Sequence, residues 1–121
     1  MRFPSDAPVT PAKSDELRAR IARLRIELNA IDEQAVRASG PGGQKVNKTS
    51  SGVLLRYTLN HGGADEQIVV KWARERQRSL NRFLALRELV DEVEVRVSPG
   101  TSERLKEHAR IRKQKDRARR R

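Results

Sequence analysis

The side chains best suited to chemistry in this sequence lie in one short string, Arg37-Ala-Ser-Gly-Pro-Gly-Gly-Gln-Lys-Val-Asn-Lys-Thr49. Gly40, Gly42 and Gly43 around Pro41 combine glycine freedom with a proline and exclude regular structure there. With no side chains at Gly42 and Gly43, the backbone can enter a very narrow site and adopt positive φ. Gln44 brings a backbone N–H, a carbonyl acceptor and an amide donor, and no group that ionises near neutrality. It cannot act as a general base, but it can orient a water or stabilise charge on a leaving oxygen. Lys45, Asn47, Lys48 and Thr49 beside it are suited to fixing phosphates. Such a reactive tip has no acid, base or metal of its own, so another macromolecule must supply most of the active site.

Several other chemistries are excluded. A Walker A loop needs glycine directly before its Lys-Ser/Thr pair, whereas Lys48-Thr49 follows Asn47. The three glycines do not complete the G-x-G-x-x-G spacing of a dinucleotide fold. The chain has no cysteine, which removes disulfides, thiolate metal sites and a cysteine nucleophile. His61 and His108 are its two histidines, too few for a multi-histidine zinc site. No metal and no cofactor are therefore expected. No apolar run approaches the roughly 20 residues of a membrane span. The N-terminal residues lack the features of a secretory or transit sequence, so a cytoplasmic location without membrane contact is expected.

Charge identifies the partner class. The 121 residues carry 27 Lys and Arg against 16 Asp and Glu, a formal net charge of +11, and the partner is expected to be polyanionic. Ser102 to Arg121 hold ten Lys and Arg against three acids, so this tail carries +7 of the total. The tail basic residues Arg104, Lys106, Arg110, Arg112, Lys113, Lys115, Arg117, Arg119, Arg120 and Arg121 are candidate RNA contacts. Low hydrophobicity and self-repulsion predict that the tail is disordered until RNA orders it.

The elements that must position the string follow from periodicity. Residues 1–13, with three prolines, are expected to be a disordered lead-in. Leu17, Ile21, Leu24, Leu28 and Ile31 form a helical stripe, which predicts a helix over about 14–28 capped by Ser14 and packed against the domain. Asn29 is a candidate cap for a second short helix. A short extended segment is expected over 34–39, with Val36 pointing inward. Strands are expected over 53–59 and 67–72, joined by a turn at His61-Gly-Gly-Ala-Asp65. A helix with an apolar face is expected over 74–92, followed by a hinge at Ser98-Pro-Gly-Thr101. The domain therefore spans 14–97, the hinge and tail 98–121, and the fold class is α+β, a small antiparallel sheet covered by helix. Trp72, at a strand end beside the helix, reads as core.

The string Arg37–Thr49 resembles the GGQ signature of class I peptide chain release factors. The likeness continues through the hairpin, through Arg76-Gln-Arg-Ser-Leu-Asn-Arg-Phe-Leu-Ala85 and into the basic tail, roughly residues 17–121. It implies a β-α-β-β-α catalytic domain with the GGQ loop after the first strand. The turn at 61–65 and the Gln77-Arg-Ser-Leu80 helix start depart from the family's usual residues. The 121 residues leave no room for a stop-codon-reading domain, so none is expected, and a GGQ domain with a basic tail is similar to the codon-independent ribosome-rescue branch. That branch includes the bacterial alternative rescue factor and mitochondrial release-factor-like proteins.

The resemblance implies ribosome-dependent hydrolysis of the peptidyl-tRNA ester in the large-subunit peptidyl transferase centre, with Gly42, Gly43 and Gln44 as catalytic residues. It implies ribosomal RNA contacts at Arg37, Lys45, Asn47, Lys48, Thr49, Arg76, Arg78, Asn81 and Arg82. It also implies a glutamine methyltransferase acting on Gln44, and a monomer is expected. The reading from another class is a noncatalytic RNA-binding or assembly protein that keeps the GGQ fold.

Overall fold

A computed structural model describes residues 1–37 and 51–120. The elements run α1 (Pro11–Arg23), β1 (Asp32–Val36), β2 (Gly52–His61), β3 (Ala64–Trp72), α2 (Arg78–Val97) and α3 (Glu103–Arg119). Single 3-10 turns occupy Leu28–Ala30 and Pro99–Thr101. The strands form one antiparallel sheet in the order β1-β2-β3, and the α+β class holds. The helix that the resemblance places between the first strand and the hairpin falls on residues outside the described ones.

The sheet is one-sided. Along β2, Val53, Leu55, Tyr57 and Leu59 alternate inward, joined by Ile68 and Val70 of β3. Arg56, Thr58 and Asn60 face outward and are exposed. This period-2 alternation leaves one face for helix and one for solvent. α2 covers the inner face with Phe83, Leu86, Leu89, Val90 and Val93, and α1 adds Leu17 and Ile21 to the same cluster. Trp72 packs against that cluster, as its position beside the helix suggested. The hairpin is tighter than the five-residue turn expected, because His61 pairs with Ala64 across Gly62 and Gly63. Those glycines stand at φ +62° and +80°, and positive φ at both central residues suits the twist of the flanking strands.

Several boundaries differ from expectation, β1 among them, at Asp32–Val36 rather than 34–39. Residues 1–13 are not a disordered lead-in. Pro4 is buried, the Phe3 ring meets Phe83 edge to face at 6.4 Å between centroids, and the Arg18 guanidinium lies over Phe3. The first helix starts at Pro11 rather than Ser14. The Thr10 side chain accepts from the Lys13 N–H, and a proline at the first helical position gives up no bond. It ends at Arg23, with Arg25 at φ +57°, and the apolar stripe continues into the buried Ile26 and Ile31. α2 begins at Arg78 instead of residue 74, because Glu75 is tied up in bonds to Asn81, and it runs on to the Ser98-Pro99 break.

The tail is not disordered: it is helical over Glu103–Arg119. Its cap residue Ser102 is 2% exposed and accepts from the Leu105 N–H, Glu103 sits at the positive end, and Arg117 and Arg119 sit at the negative end. Glu103–Lys106 and Glu107–Arg110 add ion pairs one turn apart.

Candidate nucleic-acid interface

Gly42, Gly43 and Gln44, with Lys45, Asn47, Lys48 and Thr49, lie outside the described residues, and so does Arg121. The structure shows what holds the ends of their segment. β1 ends at Val36 and β2 begins at Gly52, and these two residues pair across the ladder. Residues 37–51 therefore leave and re-enter the sheet at adjacent positions, about 5 Å apart.

The re-entry point is clamped. Asn81 on α2 is fully buried, and its amide nitrogen donates to the Ser51 carbonyl at 2.7 Å and the Glu75 carbonyl at 2.9 Å. Its Oδ1 accepts from the Glu75 N–H at 3.0 Å. One side chain thus ties the end of the segment, the strand-to-helix connection and the first turn of α2 into one knot. Asn81 was expected at an RNA contact and is structural instead: it has no surface to offer. Beside it, Gly52 leaves no room for a side chain. A Cβ there would come within 2.9 Å of both the Val36 carbonyl oxygen and the Ala73 Cβ. Nothing in the β-rich pattern of residues 53–59 marked Gly52 or Ser51 as a stem.

The end of the sheet that carries this stem also carries cations. Val53 pairs with Trp72, so the last residues of β3 lie beside the stem, and the N-terminus of α2 meets them through Asn81. Arg37, Lys71, Arg74, Arg76 and Arg78 are all exposed there, with Glu75 among them. The Arg74 guanidinium lies 4.8 Å from the centroid of the Trp72 ring, which orients it without consuming its hydrogen-bond donors. Lys71 was not singled out from sequence. The signal was its place in the strand alternation, outward between the inward residues at 70 and 72. The arrangement suits phosphate binding, since exposed guanidinium and ammonium groups can each take phosphate oxygens.

The opposite half of α2 is acidic and is satisfied from within the chain. Glu94 is 2% exposed and accepts from Arg20, Arg23 and the Thr101 hydroxyl. Burial pushes its carboxyl up, but the bonds from Arg20 and Thr101 and the Arg20 and Arg23 charges outweigh this and hold it below the ordinary range. Glu92 is also held low, first by its hydrogen bond from Arg96. Glu94 falls four residues after Val90, on the apolar stripe, and that placement was the sequence signal for a buried acid.

Two further arginines expected at RNA are engaged internally. Arg82 pairs with Glu33 and donates to the Arg2 carbonyl. Arg104 reaches Glu88 at 2.8 Å, Glu92 at 2.9 Å and Asp91 at 3.2 Å, pinning the root of α3 to α2. From Lys106 to Arg120 every residue is exposed, which leaves Lys106, Arg110, Arg112, Lys113, Lys115, Arg117, Arg119 and Arg120 on the surface. Among the described residues no group of three or more acids or histidines is placed to hold a metal ion, and no helix is long and apolar enough to cross a membrane.

Comparison with known proteins agrees with the motif. The RF-1 domain matches residues 19–121. The chain is 37% identical over 87 residues to the human mitochondrial translation release factor in rescue, covering 72% of this chain and 49% of that protein. The zebrafish protein of the same name is 43% identical over 76 residues, covering 63% and 45%, and the mouse protein is 36% identical over 101 residues, covering 80% and 52%. The chain spans about half the length of the curated relatives it matches. With the match running from within α1 to the end of α3, this chain belongs to the RF-1 domain family, the release-factor family whose signature its Arg37–Thr49 string resembles.

Proposed function

We propose that this chain is a codon-independent rescue factor that hydrolyses peptidyl-tRNA on stalled ribosomes or large subunits. What supports this reading is that the described ends of the segment containing Gly42, Gly43 and Gln44 are held together at the cationic end of the sheet, by the Val36–Gly52 pair and by the bond from Asn81 to Ser51. The cations there take ribosomal RNA phosphates, and the tip enters the peptidyl transferase centre. A water adds to the ester carbonyl, the bond to the ribose oxygen breaks, and the peptide leaves as its acid while the tRNA regains its hydroxyl. Gln44 positions that water, and its backbone N–H stabilises the oxygen on which charge develops. Methylation of the Gln44 amide nitrogen belongs to the same reading and is supported by the resemblance, while a monomeric state is supported by the packing of the Leu17 and Ile21 stripe into the chain's own core.

Release of labelled peptide from stalled complexes tests this. Gly43→Ala is expected to lower release by about a hundredfold or more, the scale of losing a transition-state donor, while ribosome co-sedimentation stays unchanged. Free peptidyl-tRNA should barely be cleaved, because the chain has no catalytic dyad. Full release by Gly43→Ala would take the Gly42-Gly43-Gln44 tip out of the reaction, and absence of release by the parent chain would leave the noncatalytic RNA-binding reading in its place.

A further inference from the structure

α3 has an unusual charge distribution for a helix that lies on a surface. At about 100° per residue, Arg104, His108, Arg112, Lys115 and Arg119 fall within an arc of about 80°, Arg104 at the root engaged by the acids of α2 and Arg112, Lys115 and Arg119 exposed beyond it. Lys106, Arg110, Lys113 and Arg117 fall within an arc of about 60°. The centres of the two arcs are roughly 170° apart, so the helix has two basic stripes on opposite faces. The seams between them hold Leu105, Ala109 and Asp116 on one side and Glu107, Ile111, Gln114 and Ala118 on the other. Both acids beyond the first turn therefore lie in the seams. A helix that rests on one sheet of phosphate gains from one stripe, and the second stripe only adds repulsion. Two opposed stripes fit phosphate on both sides.

The surroundings agree. Arg104 holds the root of α3 to α2, and every residue from Lys106 onward is exposed, so the helix stands clear of the body for about 20 Å. A polar helix this exposed buries little against its own chain, so nearly its whole surface is open to a partner.

We infer that α3 binds in a cleft of folded RNA walled by phosphate on both sides: a duplex whose major groove has been opened by a bulge. A regular A-form major groove is too narrow for a helix about 10–12 Å across. A single strand offers no second wall. The inference rests on the reading of the partner as RNA and not on the ester hydrolysis.

The test measures binding of the full chain to three RNAs of equal length: a stem with a bulge, the same stem without it, and a single strand. The bulged stem is expected to bind tightest. One variant strips a single stripe, by Lys106→Gln, Arg110→Gln, Lys113→Gln and Arg117→Gln. A second keeps composition and net charge but vacates that face, by Lys106→Glu, Glu107→Lys, Ala109→Arg, Arg110→Ala, Ile111→Lys, Lys113→Ile, Arg117→Ala and Ala118→Arg. The first should flatten the salt dependence on the bulged stem by roughly 3 in slope, if each of four contacts is worth about 0.7–0.9. The second should lose about tenfold or more on the bulged stem, equivalent to at least one decade in affinity, while keeping its affinity for the single strand. Circular dichroism and thermal melting confirm that both variants remain folded. Equal affinity of the second variant for the bulged stem, or equal binding of all three RNAs by the parent chain, overturns the inference. Because no peptide release enters the measurement, its failure leaves the hydrolysis reading to stand or fall on Gly43→Ala.

Discussion

The two regions of this protein that are suited to meet RNA are held in opposite ways. The ends of the segment 37–51 are fixed by buried contacts at Ser51 and Gly52. Asn81 makes three hydrogen bonds with no exposure, and Gly52 sits where any side chain would collide with backbone. α3 is held at its root by one guanidinium among three half-exposed carboxylates, and beyond that by its own helical bonds. A tip that must place one amide against a reacting ester needs its base located to a fraction of an ångström. An arm that collects phosphates needs reach and charge, and it tolerates a loose joint. The stem therefore draws on the hydrophobic core for its precision, and the arm does not.

The largest effect on that contrast is expected from Asn81→Leu. The substitution keeps the volume but leaves the Ser51 carbonyl and both Glu75 backbone groups without their partner. An unsatisfied buried group costs about 1–3 kcal/mol, so a total loss of about 2–4 kcal/mol is expected. For a domain this size the melting temperature should fall by at least about 10 °C. Peptide release should drop further than RNA affinity, because the stem is loosened while the tail is untouched. A variant that melts with the parent would show that the stem is not held by this knot.

A smaller loss is expected at Glu94, and it carries a pH signature. Its folded carboxyl is held below the ordinary value of 4.5, so its contribution is present above the unfolded range and is lost as pH falls through the folded value. Arg20, Arg23, Thr101 and the neighbouring Asp91 face the site. Glu94→Gln should cost about 1.5–3 kcal/mol at neutral pH, the value of hydrogen bonds to a charged group. It should also flatten the acid limb of stability against pH. Equal acid limbs in denaturant titrations of the two proteins would remove Glu94 from the account.

Gly52→Ala should cost about 1–3 kcal/mol, the usual penalty of overpacking. The Cβ meets the Val36 carbonyl oxygen, a backbone atom of the neighbouring strand that cannot turn aside. The same change at Gly100 has nothing within 4 Å to meet, so a matched pair of melts isolates the stem effect.

What could be read from the sequence divides along the same line. Val53 to Leu59, Gln67 to Trp72 and the Leu86–Val93 stripe announced strands and helix through their periods, and the GGQ string announced its family through its length. Asn81 and Arg82 were legible as polar residues at a helix start but not as buried or paired ones. Their partners Ser51, Glu75 and Glu33 are brought to them only by tertiary folding. The helical tail was missed for a related reason. Composition reports repulsion between like charges, whereas the Ser102 cap, the Glu103 dipole contact and the Arg104 anchor depend on single residues at particular places. The packed N-terminal residues were missed because three prolines look like disorder, while Pro4 is buried and Pro11 starts a helix.

The smallest expected effect on stability is deletion of Lys106 to Arg121, which leaves Ser102 and Arg104 in place. The deletion removes nine Lys and Arg and two acids, yet none of the described residues it removes is buried. Its internal ion pairs, Arg110–Glu107 and the broken Lys106–Glu103 pair, are exposed and worth about 0–1 kcal/mol each at most. Thermal and urea melts should therefore move by less than about 0.5 kcal/mol, within the range of surface changes. Ribosome binding should respond strongly. If five of the lost cations meet phosphate, the slope of log affinity against log salt falls by roughly 3.5 to 4.5. Release should recover in part when the truncated protein is supplied at higher concentration, since Gly42, Gly43, Gln44 and their stem are intact. Large destabilisation with unchanged salt slope would invert the comparison, making α3 a structural strut and the cations at the end of the sheet the sole anchor.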